Sequence, residues 1–262
     1  MTRIIGVVSG KGGVGKTTVV TNLGVDLVTK FKKDVVIIDC NITTSHLSMV
    51  MGMHFLPITL NQVLRGNIPI ENAVYTHQTG LKIIPASLAV KDVEGIDVGE
   101  LKKAVKHLLG KVDIILLDSA PCLGREAKMT LDVSEELLFV TTPYVPSVMD
   151  TIRTKEMAEP QKTKLGTVLN MMENVRHELS IKEIENLTEM PVLATVPYDR
   201  NILKSLAAKQ PVVTYNPQCK ASKQFLKLGK EITGEDPVNL EKEDVLGKIT
   251  SMLKGVNIPR FG

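Results

Sequence analysis

Short apolar runs alternate with stretches of helical periodicity along residues 1–235. The apolar runs fall at residues 3–8, 35–39, 81–84, 112–118, 137–141, 167–170 and 192–196. They are continuous rather than alternating, the pattern of strands buried on both faces of a parallel sheet. Helical periodicity marks residues 17–29, 59–64, 98–109, 147–157, 181–187, 202–208 and 221–233. This order predicts an α/β fold, a doubly wound and mostly parallel sheet with helices on both faces, binding ligands at the carboxyl ends of its strands. Gly-Glu-Asp-Pro at 234–237 interrupts the pattern, dividing a domain at 1–235 from a tail at 236–262. In the tail, Val245, Leu246, Ile249, Met252, Leu253 and Val256 share one face of a helix drawn over residues 244–256. Gly247 weakens that helix by about 1 kcal/mol relative to Ala.

The first apolar run ends in Gly10-Lys11-Gly12-Gly13-Val14-Gly15-Lys16-Thr17, which fits G-x-x-x-x-G-K-[ST] between a strand and a helix start. In such a loop the glycines let backbone N–H groups close around phosphate oxygens, and the helix N-terminus adds favourable partial charge. Lys16 is expected to reach the β- and γ-phosphates and Thr17 to ligate magnesium; Thr18 completes the nucleotide-binding stretch. Asp118 ends the run 112–118, where a carboxylate can hold a magnesium-bound water.

The loop carries a second lysine, Lys11, and G-K-G-G-V-G-K-T resembles the deviant Walker A loop of the MinD/ParA ATPases, particularly archaeal MinD-like proteins. The resemblance spans roughly residues 2–235, through Val35 to Asp39, Asp113 to Asp118, Thr141-Thr142-Pro143 and the segment 146–150. It implies an ATPase that uses ATP and magnesium, forms a homodimer when ATP is bound, and acts as a spatial-positioning switch at a membrane surface, as in cell-division site selection. Lys11 would reach the partner subunit's nucleotide and stabilise transition-state charge in trans. Asp39 and Asp118 would share the magnesium shell with Thr17. On the base side, Asn170 occupies the place of an adenine-contacting Asn, and Pro197-Tyr198-Asp199 that of a second adenine segment; both stretches also read as strand-end turns. No N-K-x-D guanine motif is present.

Three positions depart from the family pattern. The first switch reads Asp39-Cys40-Asn41 where D-x-D is usual, so Asn41 can accept a hydrogen bond but cannot act as a base. Cys122 stands where the second switch usually has Gly, and Tyr144 where many MinD proteins have Glu. These changes predict slow hydrolysis, with a nearly inactive nucleotide-dependent scaffold as the alternative.

Composition narrows the partners. Aromatics are 3% of the chain and Trp is absent, which argues against a base-stacking surface. The net charge of +3 is too mild to argue for DNA; a ParA-type DNA-partitioning ATPase stands as a further alternative on a late cluster of lysines, most of which a solvated helix face explains. Neither a spanning apolar run nor a leader pattern is present, so the expectation is a cytoplasmic protein with a tail that engages a membrane surface, its own domain or a partner. Cys40, Cys122 and Cys219 lack C-x-x-C spacing, unlike the related iron–sulfur carriers. They read as unpaired thiols, with a redox pair of Cys40 and Cys122 as the alternative. Neither cargo nor regulator is legible.

Overall fold

The computed structural model describes residues 1–122 and 124–238. The predicted helix at 244–256 lies outside them. Eight strands form one sheet: β1 (Arg3–Val8), β2 (Val35–Asp39), β3 (Tyr75–Thr76), β4 (Lys82–Ile84), β5 (Ile114–Asp118), β6 (Glu136–Thr141), β7 (Thr163–Met172) and β8 (Val192–Pro197). Their order is β3-β4-β2-β5-β1-β6-β7-β8, parallel except for β3, which pairs antiparallel with β4. Among the described residues ten α-helices accompany them: α1 (Lys16–Thr29), α2 (Leu47–Val50), α3 (Leu60–Leu64), α4 (Glu100–Lys106), α5 (Arg125–Val133), α6 (Val145–Met157), α7 (Ile181–Thr188), α8 (Arg200–Ala207), α9 (Val212–Tyr215) and α10 (Lys220–Thr233).

Both faces of the sheet are covered, which is why the strands read as unbroken apolar runs. Ile5, Val7, Ile37 and Leu116 face α1 and α10, in a core with Leu23, Leu27, Phe225 and Leu228. Ile4, Ile38, Ile115 and Leu117 face the other way, onto Leu60, Leu101, Val105 and Met129. Beneath the sheet, Arg3 clamps Glu136 with two bonds of 2.7 Å and donates to the Ile232 carbonyl at 2.6 Å, tying β1, β6 and α10 together.

The chain winds in opposite directions from β1, since β5 and β2 lie on one side of it and β6 and β7 on the other. The crevice at such a reversal opens at the carboxyl ends of the strands, where the glycine loop lies.

Several boundaries shift from those read in the sequence. The helix expected at 98–109 is only Glu100–Lys106, because residues 107–111 wind through short turns to Gly110 at φ 77°. The helix expected from 147 begins at Val145, with Pro146 in its first turn, where a missing N–H costs nothing. Helix α5 was not foreseen: its buried Ala127, Met129, Leu131 and Val133 fall at alternate positions, a strand's period on a helix.

Candidate nucleotide site

The glycine loop joins β1 to α1 and is shaped by two close approaches. A Cβ at Gly10 would stand 2.1 Å from the Asp150 carbonyl oxygen, so the loop lies directly on the backbone of α6. Gly15, at φ 91°, adopts the left-handed conformation that glycine tolerates, and a Cβ there would meet Asn170 Nδ2 at 2.2 Å. α1 starts at Lys16, a residue earlier than its pattern suggests.

Lys16 is buried, and its ammonium donates to Ser9 Oγ at 2.7 Å. Ser9 in turn donates to the Lys11 carbonyl at 2.8 Å. Burial lowers the Lys16 pKa, and Asp118 opposes that shift. Ser9 was not singled out in the sequence, although its place immediately before the loop was the available signal. Lys11 is exposed and, among the described residues, forms no ion pair.

Asp39 and Asp118 are register partners at the ends of adjacent strands and both are buried. Thr17 Oγ1 donates to Asp118 Oδ2 at 2.7 Å, bringing together two of the three residues of the expected magnesium site. Asp118 Oδ1 is buried without a hydrogen-bond partner among the described residues. Asp39 accepts from Ser45 Oγ at 2.6 Å and from the Asn41 N–H at 3.1 Å. Desolvation pushes Asp118 up to about 7, reinforced by the charge on Asp39 and opposed by Thr17 and Lys16. Desolvation also raises Asp39 to about 6, against the hydrogen bonds it accepts. Two carboxylates held side by side, one with an orphaned oxygen beside a threonine hydroxyl, form a hard oxygen-donor set suited to magnesium.

The Asn41 amide is engaged locally: Nδ2 donates to the Thr44 carbonyl at 2.7 Å and Oδ1 accepts from Thr44 Oγ1 at 3.0 Å. The same loop reaches α5 through a hydrogen bond from Thr43 to Glu126. Cys122 takes a left-handed backbone at φ 65°, a conformation that favours glycine. Tyr144 stacks on His177 with ring centroids 6.1 Å apart. Cys40 is buried, which raises its thiol pKa, whereas Cys122 is exposed; both are free thiols.

On the base side, Thr18, Asn170, Pro197 and Asp199 line one cleft of ≈ 80 Å³ with Met171, Tyr198 and three apolar residues of α8. The sequence-predicted base residues are thus brought together, and the apolar wall of α8 was missed because apolar positions in a helix read as an ordinary core-facing stripe. Asn170 is buried; its Nδ2 donates to the Val14 carbonyl at 2.8 Å, while its Oδ1 has no partner among the described residues. Asp199 caps α8, accepting from the Asn201 N–H at 2.8 Å and Asn201 Nδ2 at 2.7 Å, as the strand-end-turn reading has it.

Comparison with known proteins agrees with this geometry. A family model described as ParA, NUBPL iron-transfer P-loop NTPase, matches residues 1–233. A protein of Methanocaldococcus jannaschii described as ATP-binding is 34% identical over 258 residues, covering 96% of this chain and 98% of its own length. The septum site-determining protein MinD of Thermotoga maritima is 30% identical over 256 residues, covering 94% of this chain and 93% of its own. The structure of MinD from Pyrococcus horikoshii, complexed with Mg-ADP, superposes with a TM-score of 0.85 at 33% identity, covering 89% of this chain and 96% of that one. The double-lysine loop, the sheet order and these matches agree: the chain belongs to the ParA/MinD family of P-loop NTPases.

Proposed function

We propose that the protein is a MinD-like ATPase that binds Mg-ATP, dimerises with the nucleotide at the interface and acts as a positioning switch. One observation carries the reading: Lys16, Thr17, Asp118 and the base cleft converge at the strand ends, while Lys11 projects from the same loop without an ionic partner in its own described chain. Phosphoryl transfer to water needs charge neutralisation and an oriented nucleophile. The loop amides and Lys16 hold the phosphates. Thr17, Asp118 and Asp39 would hold magnesium, which when bound offsets charge on the phosphate oxygens. Lys11 acts on the partner subunit's nucleotide. Mass in solution with ATP or ADP tests this: wild type is expected to dimerise with ATP only, and Lys11→Ala to bind ATP yet stay monomeric. Equal mass in both nucleotides for wild type would overturn the dimer.

Turnover on this reading is slow, because the Asn41 amide is engaged with Thr44 and cannot take a proton. Asn41→Asp is expected to speed phosphate release; an unchanged rate would sink that explanation. Action at a membrane surface rests on the amphipathic sequence at 244–256 and on the septum-site role named for the Thermotoga relative. Among the described residues no helix is long and apolar enough to cross a membrane. ATP-dependent co-sedimentation with anionic vesicles checks action at the membrane surface, and pelleting that is equal with ATP and ADP counts against it. For iron transfer, the activity in the family model's description, Cys219 offers little: it is buried at the start of α10, beside Ser222 Oγ at 3.2 Å.

A further inference from the structure

An apolar groove of ≈ 590 Å³ lies between α2 and the loop after β4. Met49, Met53, Phe55, Leu56, Pro85 and Leu88 supply its apolar lining. Phe55 is 99% exposed on a left-handed backbone at φ 58°, a conformation that costs a non-glycine residue about 1 kcal/mol. Leu88 and Met49 are also exposed. Methionines around a projecting phenylalanine suit the apolar face of a helix.

The groove continues toward the far end of the domain. A second concavity of ≈ 480 Å³ shares Met53 and Lys209 with it and extends to His77 and Gln78, in the turn between β3 and β4. That turn touches the last part of α1, since a Cβ at Gly80 would lie 3.3 Å from Val28 Cγ1. The end of α1 is also where the described chain leaves the domain. The Val238 N–H donates to the Lys30 carbonyl at 2.7 Å, and Lys33 pairs with Glu235 at 2.6 Å. The trough therefore begins beside the exit of the tail.

We propose that residues 244–256 dock in this trough of their own chain, laying Ile249, Met252 and Leu253 against Phe55 and the methionines. Reach is sufficient. Residues 239–243 span up to about 17 Å when extended, and a helix over 244–256 adds about 20 Å. The full length of α1, from the glycine loop to the tail exit, is about 21 Å. Charge agrees as well. Glu241, Glu243 and Asp244 precede the apolar stretch, and Lys209, 3.4 Å from His54 on the groove wall, has no acidic partner among the described residues. Docked there, the tail withholds its apolar face from a membrane or a partner, at a groove that flanks the segment following Asp39. The inference is independent of the nucleotide chemistry, which stands if the docking fails.

The chain has no tryptophan, so Phe55→Trp in the full chain gives a single reporter on the groove. Its emission is expected to be blue-shifted and shielded from acrylamide. Adding Ile249→Asp with Leu253→Asp should red-shift it and raise the quenching constant several-fold, whereas Thr250→Asp with Ser251→Asp should leave it unchanged. Amide exchange of residues 47–56, measured without the reporter, should rise with the same apolar-face substitutions. Equal quenching and equal exchange with and without those substitutions would overturn the docking. Shielding that grows with protein concentration would overturn it too, by placing the tail on a second molecule.

Discussion

Replacing Asp118 by Asn should stabilise the nucleotide-free protein while removing its magnesium response. Asp118 is buried at the end of β5, and desolvation together with Asp39 raises its carboxyl from 3.8 to about 7. The folded state therefore holds this proton more tightly than the unfolded chain does. Stability is full below the unfolded value and is lost as pH rises from about 4 through about 7. A displacement of that size corresponds to about 4 kcal/mol against the ionised form at pH 8. The Asn Nδ2 would stand where Asp118 Oδ1 has no partner among the described residues, which takes back about 1–3 kcal/mol and leaves a net gain on the order of 2 kcal/mol. In a chain of 262 residues that is a rise in Tm of about 4–8 °C. The Asn side chain can still meet the Thr17 hydroxyl, so packing is preserved. Thermal unfolding of both chains without nucleotide, from pH 5 to 8.5, gives the comparison, repeated with magnesium and ADP. The advantage of Asn should shrink toward pH 5, where the native carboxyl is already protonated. The magnesium-dependent part of the rise in Tm with ADP should appear in wild type alone. A variant no more stable than wild type at pH 8, or equally favoured at pH 5, would refute the reasoning.

Gly10→Ala should cost more than 1 kcal/mol of stability and weaken ATP binding at least about tenfold, because the new methyl would force the loop off the Asp150 backbone; calorimetric titration and Tm measure both. Cys122→Gly relieves a left-handed backbone but adds freedom to the unfolded chain, so stability should change by less than about 1 kcal/mol. Phosphate release should nevertheless rise if the Cβ is what obstructs the second switch, and an unchanged rate would assign slow turnover elsewhere. A thiol reagent applied to the folded protein should label Cys122 quickly, with Cys40 and Cys219 reacting only on unfolding. Rapid labelling of Cys40 would contradict its place in the core.

The phosphate loop, the strands that flank it and the fold class were legible because each rests on a local rule. Glycine spacing fixes the loop, and burial on both faces leaves unbroken apolar runs such as Ile114–Asp118. Elements that rest on distant partners were not. The two residues of β3 carry no period of their own and exist as a strand by pairing with β4. The four-residue α9 is held partly by Asn22, which accepts from the Val213 N–H at 3.1 Å across 191 positions of sequence. In the site, residue type announced Lys16, Thr17 and Asp118. The placement of Asn41 was hidden, because its engagement with Thr44 depends on how the loop after β2 folds back.

The hydrogen bond from Asn170 to the Val14 carbonyl has a consequence for nucleotide choice. With one of its two amide N–H groups committed to the loop, Asn170 keeps the orphaned Oδ1 and one further N–H for a ligand. An acceptor of this kind rewards an exocyclic amine and repels a carbonyl oxygen. A purine bearing an amine at that edge satisfies it; one bearing an oxygen there would leave two acceptors facing each other, at a penalty of about 1–3 kcal/mol. On the proposed reading, the residue that braces the phosphate loop would also favour adenine over guanine at this edge.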